Sequence, residues 1–430
     1  MATTTKSNLD NVLKHVHGPK MVRIFNDKNF LWDALKKRRK VKFSGRDFLF
    51  PVHTGRNYGA AFYTESSDLP SNSTQSVSEA SVAIRQLAAR IALTGLVIES
   101  GKSDKDGFAR LLTFETKRAA ADLADMAAVA IYSKPTHTTA ASSLNNVLCQ
   151  HSGADGNSIT ATNPLGYTSG SEVPSVGAAR YIRNGMIVSY GTQAQLAATA
   201  EGWGTVSNVN YSAGTFTITP GGGSNSPNQN DWITRGFSTT VPNYNAGFEG
   251  LGVLVAPTSG GTKFEGITID TNDPTGWNPY NQAAAGAFDQ NELHDMVQNI
   301  GVVGNGDVDC MVADPTMSRE YIADVAGDVR LQPQKLKGGY TQLQFASGKV
   351  IDWVFDRHCP YGAIFFLTKE SLFWLMQRDF GWDTTDGKIL KYIADKDQFN
   401  GYFKGYCALG WDSLNSNGAL YNISISGNPL

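Results

Sequence analysis

The rhythm of apolar and polar positions changes several times along the chain, and each change predicts an element. In residues 26–40, Phe30, Leu31, Ala34 and Leu35 fall on one face. That spacing predicts a helix, with the basic run at 36–40 placed where it favours the negative C-terminal end. Residues 46–94 turn extended. FLFPVHT at 48–54 reads as a strand, the polar, glycine-bearing stretch 55–73 as a tip, and the following residues as a return strand. The return strand sets Val82 and Ile84 on one face and then alternates Leu87, Ala89, Ile91 and Leu93, with a bulge or face switch expected near Gln86. A two-stranded ribbon is at best marginally stable in water, so one this long is expected to lie against something, most simply another subunit.

Residues 107–131 carry the clearest helical stripe: Phe108, Leu111, Leu112, Ala119, Leu123, Met126 and Ala130, with Arg118 spaced to pair with Glu115 and Asp122. At 1.5 Å per residue this helix is roughly 35 to 40 Å long. After Lys134 the chain has no lysine until Lys263 and becomes rich in Gly, Ser, Thr and Asn. Short strand-like runs, MIVSY at 186–190, TFTIT at 215–219 and DWITR at 231–235, are separated by turn signals. They predict a small all-β barrel or sandwich over about 176–240, with the glycine-rich stretch 221–230 as a surface loop. Mixed α/β structure returns beyond it. Asp289 is placed to cap a helix whose Leu293, Met296, Val297 and Ile300 face inward, CMVA at 310–313 reads as a buried strand, and Ser318 begins a short helix. VIDWVF and AIFFL read as strands, Asp386-Gly387 as a turn between two more, and 403–425 as aromatic and β-rich.

Composition narrows this picture. A chain of 430 residues with 41% hydrophobic content can bury a sizeable core. The net charge of -2 conceals an uneven distribution, with 12 Lys or Arg against 4 acids in residues 1–50 and 25 against 35 in the rest. The basic excess belongs to the N-terminus, where no base-reading module follows, so helix capping and solvation explain it better than specific DNA binding. Four scattered cysteines without metal-ligand spacing read as free thiols in a reducing compartment. The first 20 residues lack the apolar core of a signal peptide, and AIFFL is too short to span a bilayer, so the protein is expected to be made and used in soluble form.

The chain offers little catalytic chemistry. Gly101-Lys102-Ser103 resembles the end of a phosphate-binding loop, but Gly95 stands one residue too far upstream for backbone amides to wrap a phosphate. There is no GxSxG, HExxH or GxGxxG. His294-Asp295 and the run 356–359 (DRHC) set titratable groups side by side, and both read as hydrogen-bonded structural positions. Asp104/Asp106, Asp307/Asp309 and Asp395/Asp397 lack the full calcium-loop pattern and read as solvated turns. No catalytic residue, cofactor or metal is expected.

The order of elements then carries the argument: basic arm, long extended loop, long helix, β-rich insert, mixed α/β tail with a late strand pair. This order resembles the major capsid proteins of tailed bacteriophages, with the Hong Kong 97-like fold. The stretch 51–70 (PVHTGRNYGAAFYTESSDLP) looks like the tip of the family's extended loop, and 107–126 (GFARLLTFETKRAAADLADM) like its spine helix. Residues 312–325, 337–348 and 380–390 resemble segments of its C-terminal half. The resemblance covers most of the chain outside the insert.

It implies an α+β subunit with an N-terminal arm at 1–45, an extended loop at 46–94 and a peripheral domain with spine helix at 95–140. A connection at 141–175 and an inserted β-domain at 176–240 follow, then an axial domain and the remaining peripheral strands at 241–430. The implied partners are copies of itself as hexamers and pentamers, a portal, a separate scaffold protein, a possible decoration protein, and packaged double-stranded DNA bound non-specifically. The implied setting is the virion capsid, reached from the host cytoplasm, with no membrane. The family's founding member cross-links an extended-loop lysine to an asparagine. No lysine lies between Lys42 and Lys102 here, which predicts a shell without that isopeptide bond. Candidate inter-subunit residues, chosen for charge on interface elements, are Arg46, Arg56, Glu65, Asp68, Arg85 and Arg90 in the ribbon and Glu115, Lys117 and Arg118 on the helix. Three other readings compete. An encapsulin-type compartment shares the fold, a carbohydrate-active enzyme would show paired carboxylates in a cleft, and a tail or baseplate protein would not be expected to follow a long ribbon with a long helix.

Overall fold

The structure is a computed structural model. It describes residues 40–42, 44–55, 57, 59–65, 68–69, 71–102, 105–134, 146–174, 176–223, 226–236, 246–257, 263–270, 276–328, 342–344, 350–384, 389–393 and 396–425. Of the arm helix expected at 26–40, residues 26–39 lie outside these residues, as do the 386–387 turn and most of 337–348; Lys40 belongs to a strand.

In chain order the strands and helices begin with β1 (Lys40–Lys42), β2 (Asp47–Gly55), β3 (Ser76–Ala83), β4 (Arg85–Thr94), α1 (Gly95–Lys102) and α2 (Lys105–Ile131). Next come β5 (Val147–His151), β6 (Ser158–Thr162), β7 (Ile187–Gly191), α3 (Gln193–Ala198), β8 (Gly202–Asn210), β9 (Thr215–Gly223) and β10 (Trp232–Arg235). The last part holds β11 (Lys263–Phe264), β12 (Ile267–Thr268), β13 (Tyr280–Ala283), α4 (Gln290–Gly304), β14 (Cys310–Ala313), α5 (Thr316–Asp328) and β15 (Gln342–Gln344). It ends with β16 (Val350–Phe355), β17 (Ile364–Leu367), β18 (Leu372–Trp382), β19 (Lys391–Ile393), β20 (Lys396–Trp411) and β21 (Gly418–Tyr421).

The extended excursion divides at Ile84. β3 runs antiparallel to β2 from Asp47↔Ala83 to Gly55↔Ser76, whereas β4 leaves the ribbon and pairs with β20 from Arg85↔Cys407 to Thr94↔Gln398. The expected face switch is therefore a change of sheet, and the ribbon ends at Ala83 instead of reaching Thr94. β4 reads like a ribbon strand because Leu87, Ile91 and Leu93 alternate, but they alternate to bury one face against the body of the protein. β20 also pairs with β18 and β19, and β1 adds parallel to β18, completing a five-stranded sheet. The long helix α2 lies on it, with Leu123 and Ala127 in one core with Leu87, Trp374, Met376 and Leu409. Gly101-Lys102 closes α1, a helical turn and not a phosphate loop.

The β-rich region is a closed six-stranded barrel of order β10-β5-β6-β9-β8-β7. Ile159, Val188, Val206, Phe216, Ile218 and Ile233 fill it. β5 and β6 fall in the stretch expected to be a connection, so the barrel starts near residue 147 and not near 176. The closure explains why: β10 already pairs with β7, and its other edge stays unsatisfied until β5 takes it. The interval between barrel strands folds back on the rest of the protein at Gly177, where φ is +81° and any Cβ would run into the Tyr361 ring.

The last third forms a six-stranded sheet, β13-β21-β17-β14-β16-β15, with β14 parallel to β16 and antiparallel to β17. α4 packs Leu293, Met296 and Ile300 against Met311, Trp353, Ile364 and Phe366. Asp289 caps α4 by accepting from the Asn291 N–H at 2.8 Å, and Asn305 ends it in the left-handed region at φ 52°.

Candidate assembly surface

The ribbon of β2 and β3 has two unlike faces because facing residues of an antiparallel pair point the same way. On one face Phe48, Phe50 and Val82 cover Phe373, Leu375 and Ala408 of the five-stranded sheet. Phe50 meets Phe373 edge-on, with centroids 5.4 Å apart, and Val52 and Ala80 continue the buried row. On the other face Leu49 and Val77 stand 54% and 63% exposed. Beyond the strands, Phe62 projects fully into solvent and Tyr63 and Leu69 are 63% and 74% exposed. Isolated exposed apolar side chains are ordinary, whereas five along one ribbon make it the candidate contact surface.

The ribbon is anchored at its base by a buried acid network. The Ser81 N–H donates to the Glu265 carbonyl at 2.7 Å, and the Trp411 N–H donates to Glu265 Oε1 at 2.9 Å. The Glu265 N–H donates to Glu249 Oε2 at 3.2 Å, and Arg85 lies 3.9 Å from Glu249. Burial, followed by the charge of Glu249, raises the Glu265 carboxyl well above the ordinary range; burial raises Glu249 while Arg85 pulls it back.

A second charged network joins the barrel region to the remainder. Tyr132 of α2's C-terminal extension donates its hydroxyl to Asp356 at 3.0 Å. Asp125 of α2 holds Arg357 at 2.9 Å and His358 at 3.2 Å. Burial pushes Asp125 upward, yet the hydrogen bond and charge of His358, with Arg357 and Arg235, outweigh it and lower its pKa. Arg180, from the turn between β6 and β7, binds Asp314 at 2.7 Å, also reaches the Arg357 carbonyl, and lies 4.0 Å over the Tyr361 ring. Asp356 and His358 are buried in this junction, in the structural role read from the sequence.

Residues chosen for charge divide among several settings. Arg46 is exposed beside Asp47 at 3.4 Å, Glu65 and Asp68 are exposed near the tip, and Arg90 and Lys117 are exposed on β4 and α2. Glu115 and Arg118 are half-buried; burial, then the charge of Asp122, raises Glu115. Arg85 is half-buried and lies 3.9 Å from Glu249 of its own chain. Arg56 lies outside the described residues. Selection by charge overlooked Phe62, Tyr63 and Leu69, whose apolar side chains in the middle of a polar stretch were the available signal.

A cavity of about 240 Å³ lies beside the outer end of β2, lined by His53, Trp277, Asn305, Asp412 and Asn415 among others. Among the described residues no group of three His, Cys, Asp or Glu is placed to hold a metal, and no helix is long and apolar enough to cross a membrane. All four cysteines are buried and free.

No protein-family model and no curated protein matches the chain. Among solved structures it is similar to a subunit of the cyanophage A-1(L) capsid asymmetric unit, at 11% identity and a TM-score of 0.53 over 95% of this chain and 97% of that one. A subunit of the empty GTA particle capsid aligns at 10% identity and a TM-score of 0.49 over 94% of this chain and 99% of that one. A Synechococcus elongatus encapsulin aligns at 12% identity and a TM-score of 0.26, over 35% of this chain and 55% of that one. The chain thus has, along nearly its whole length, the mixed helix-and-strand fold of a phage capsid subunit.

Proposed function

We propose that this chain is the major capsid protein of a tailed phage, assembling as hexamers and pentamers into an icosahedral shell around double-stranded DNA, with no enzymatic role. The observation that carries the reading is the ribbon. Its inner face is anchored to its own sheet, while Leu49, Val77, Phe62, Tyr63 and Leu69 are left for water or a neighbour. In a shell of the Hong Kong 97 type that neighbour is another subunit, and the ribbon is the extended loop. On this reading β1 is the end of the N-terminal arm, α2 the spine helix, and the five-stranded sheet the body of the peripheral domain. The six-stranded sheet with α4 and α5 forms the axial domain, and the barrel is an inserted domain. Portal and scaffold proteins, with a decoration protein where one exists, complete the particle, and the shell holds without an isopeptide cross-link.

Electron microscopy of the full chain, expressed alone and with its neighbouring viral proteins, tests this. Closed shells with six-fold and five-fold units are expected. A monomer under both conditions overturns the reading, and denaturation-resistant oligomers from purified shells overturn the absence of cross-links.

A further inference from the structure

One face of the five-stranded sheet packs on α2, and the ribbon covers only the beginning of the other. Alternate residues of β20 share a side, so Tyr406, Lys404 and Tyr402 continue the side of Ala408, which lies beneath the ribbon. Arg378 of β18 stands opposite Tyr406 and joins them. Its guanidinium lies 5.9 Å from the centre of the Tyr406 ring, and the Lys404 ammonium lies 5.2 Å from that of Tyr402. Both cations are thus held against aromatic faces.

They converge on one buried carboxylate. Asp383, just past β18, accepts from Lys404 through Oδ2 at 2.9 Å, and its Oδ1 stands 3.6 Å from Arg378. Lys391 of β19 brings a third cation to 3.6 Å from Oδ2. Lys391 and Asp383 have further partners, which leaves Arg378 and Lys404 as the pair with capacity to spare. An arginine carries five N–H donors and a lysine ammonium three. Of those eight, hydrogen bonds within the chain use two: Lys404 to Asp383, and Arg378 Nη2 to the Trp382 carbonyl at 3.3 Å. Their side chains are 33% and 29% exposed, so a ligand can reach the remaining donors. Cations drawn together around one acid repel each other, and a second anion relieves that repulsion.

We propose that Arg378 and Lys404, with Lys391 at the margin, form a binding site for a phosphate group, free or in a nucleic-acid backbone. A phosphate suits the pair better than a carboxylate does, because the guanidinium fork takes two of its oxygens and leaves others for the ammonium. The site lies within one subunit and is measurable without assembly, so its failure would leave the shell reading untouched.

Calorimetric titration of the unassembled full chain with inorganic phosphate, at an ionic strength held constant with chloride, tests the site. Arg378→Gln and Lys404→Gln are each expected to weaken binding roughly tenfold, since each removes a charge-assisted contact. Lys404→Arg keeps the charge and is expected to retain binding. Asp383→Asn removes the resident competitor and is expected to tighten it. A native chain without phosphate affinity overturns the site, as does an affinity that both glutamine variants share with it. If the glutamine variants misfold, Asp383→Asn keeps the test open, because weaker binding in that variant also overturns the site. A short mixed-sequence DNA duplex then separates the sources. Displacement of phosphate by the duplex assigns the site to a nucleic-acid backbone, and phosphate left in place assigns it to the free ion.

Discussion

The ribbon and the barrel are both built from short antiparallel strands, yet they satisfy their backbone and apolar groups in opposite ways. The barrel closes on itself: each of its six strands has two hydrogen-bonded neighbours, Phe216 and Ile218 are enclosed, and no large apolar side chain among its described residues is strongly exposed. The ribbon has two strands, one covered face, and Phe62, Tyr63 and Leu69 beyond the end of its pairing. Closure makes the barrel's stability a property of the single subunit. The ribbon's apolar surface contributes only when a second surface covers it. On the proposed reading, the two regions separate folding from assembly.

The sharpest break in that comparison is the triple substitution Phe62→Ser, Tyr63→Ser, Leu69→Ser. Shell formation, followed by electron microscopy and sedimentation, is expected to be lost, while the melting temperature of the unassembled subunit stays where it was. A variant that still forms shells removes the tip from the assembly surface. Phe216→Ala is the converse: deleting a side chain enclosed in the barrel is expected to cost about 3 to 5 kcal/mol in subunit unfolding. Chemical denaturation of the monomer measures it, and a loss below about 1 kcal/mol would mean that the barrel does not fold as a packed unit.

How far these two regions could be read from sequence follows from how local their determinants are. β7, β9 and β10 were legible because MIVSY, TFTIT and DWITR are short runs of β-branched and aromatic residues set between turn signals. β5 and β6 were not. VLCQH and SITAT are short and weakly apolar, and only the need to close the sheet makes them strands. β4 was legible as a strand but not as a member of the central sheet, because its partner β20 lies about 300 residues later and no local pattern records that pairing. At the candidate surface, the ribbon's extent down to Gly55 was visible, but its active chemistry was sought among charges. A charged residue at the base of an arm serves equally to anchor the arm to its own chain, as the approach of Arg85 to Glu249 illustrates, so charge alone does not identify a contact residue.

The anchor itself gives a smaller, pH-dependent test. Glu265 is buried beside Glu249, and its carboxyl is raised for that reason. Its folded-state value lies above the unfolded one, so its contribution to stability is fully present in acid below the unfolded pKa and is lost as pH rises through the folded value. Glu265→Gln keeps an oxygen for the Trp411 N–H and cannot ionise. Its melting temperature is expected to match the native chain in acid and to equal or exceed it increasingly toward pH 8. A variant that melts below the native chain by the same margin at every pH would show that Glu265 acts through shape and not through charge.

The smallest effect is expected from the charges on the exposed part of the ribbon and β4. Replacing Arg46, Glu65, Asp68 and Arg90 together by Ala removes two positive and two negative side chains and leaves the apolar tip intact. Exposed charges steer encounter and respond to salt, whereas desolvated apolar area holds a contact once made. Shells of normal size are therefore expected, with an altered assembly rate at low ionic strength that converges on the native rate as salt is added. Light scattering at two salt concentrations resolves this. If the fourfold variant fails to form shells at either, the contrast between ribbon and barrel would remain but its physical basis would change: the ribbon would be a charged contact, and Phe62, Tyr63 and Leu69 would be bystanders at its tip.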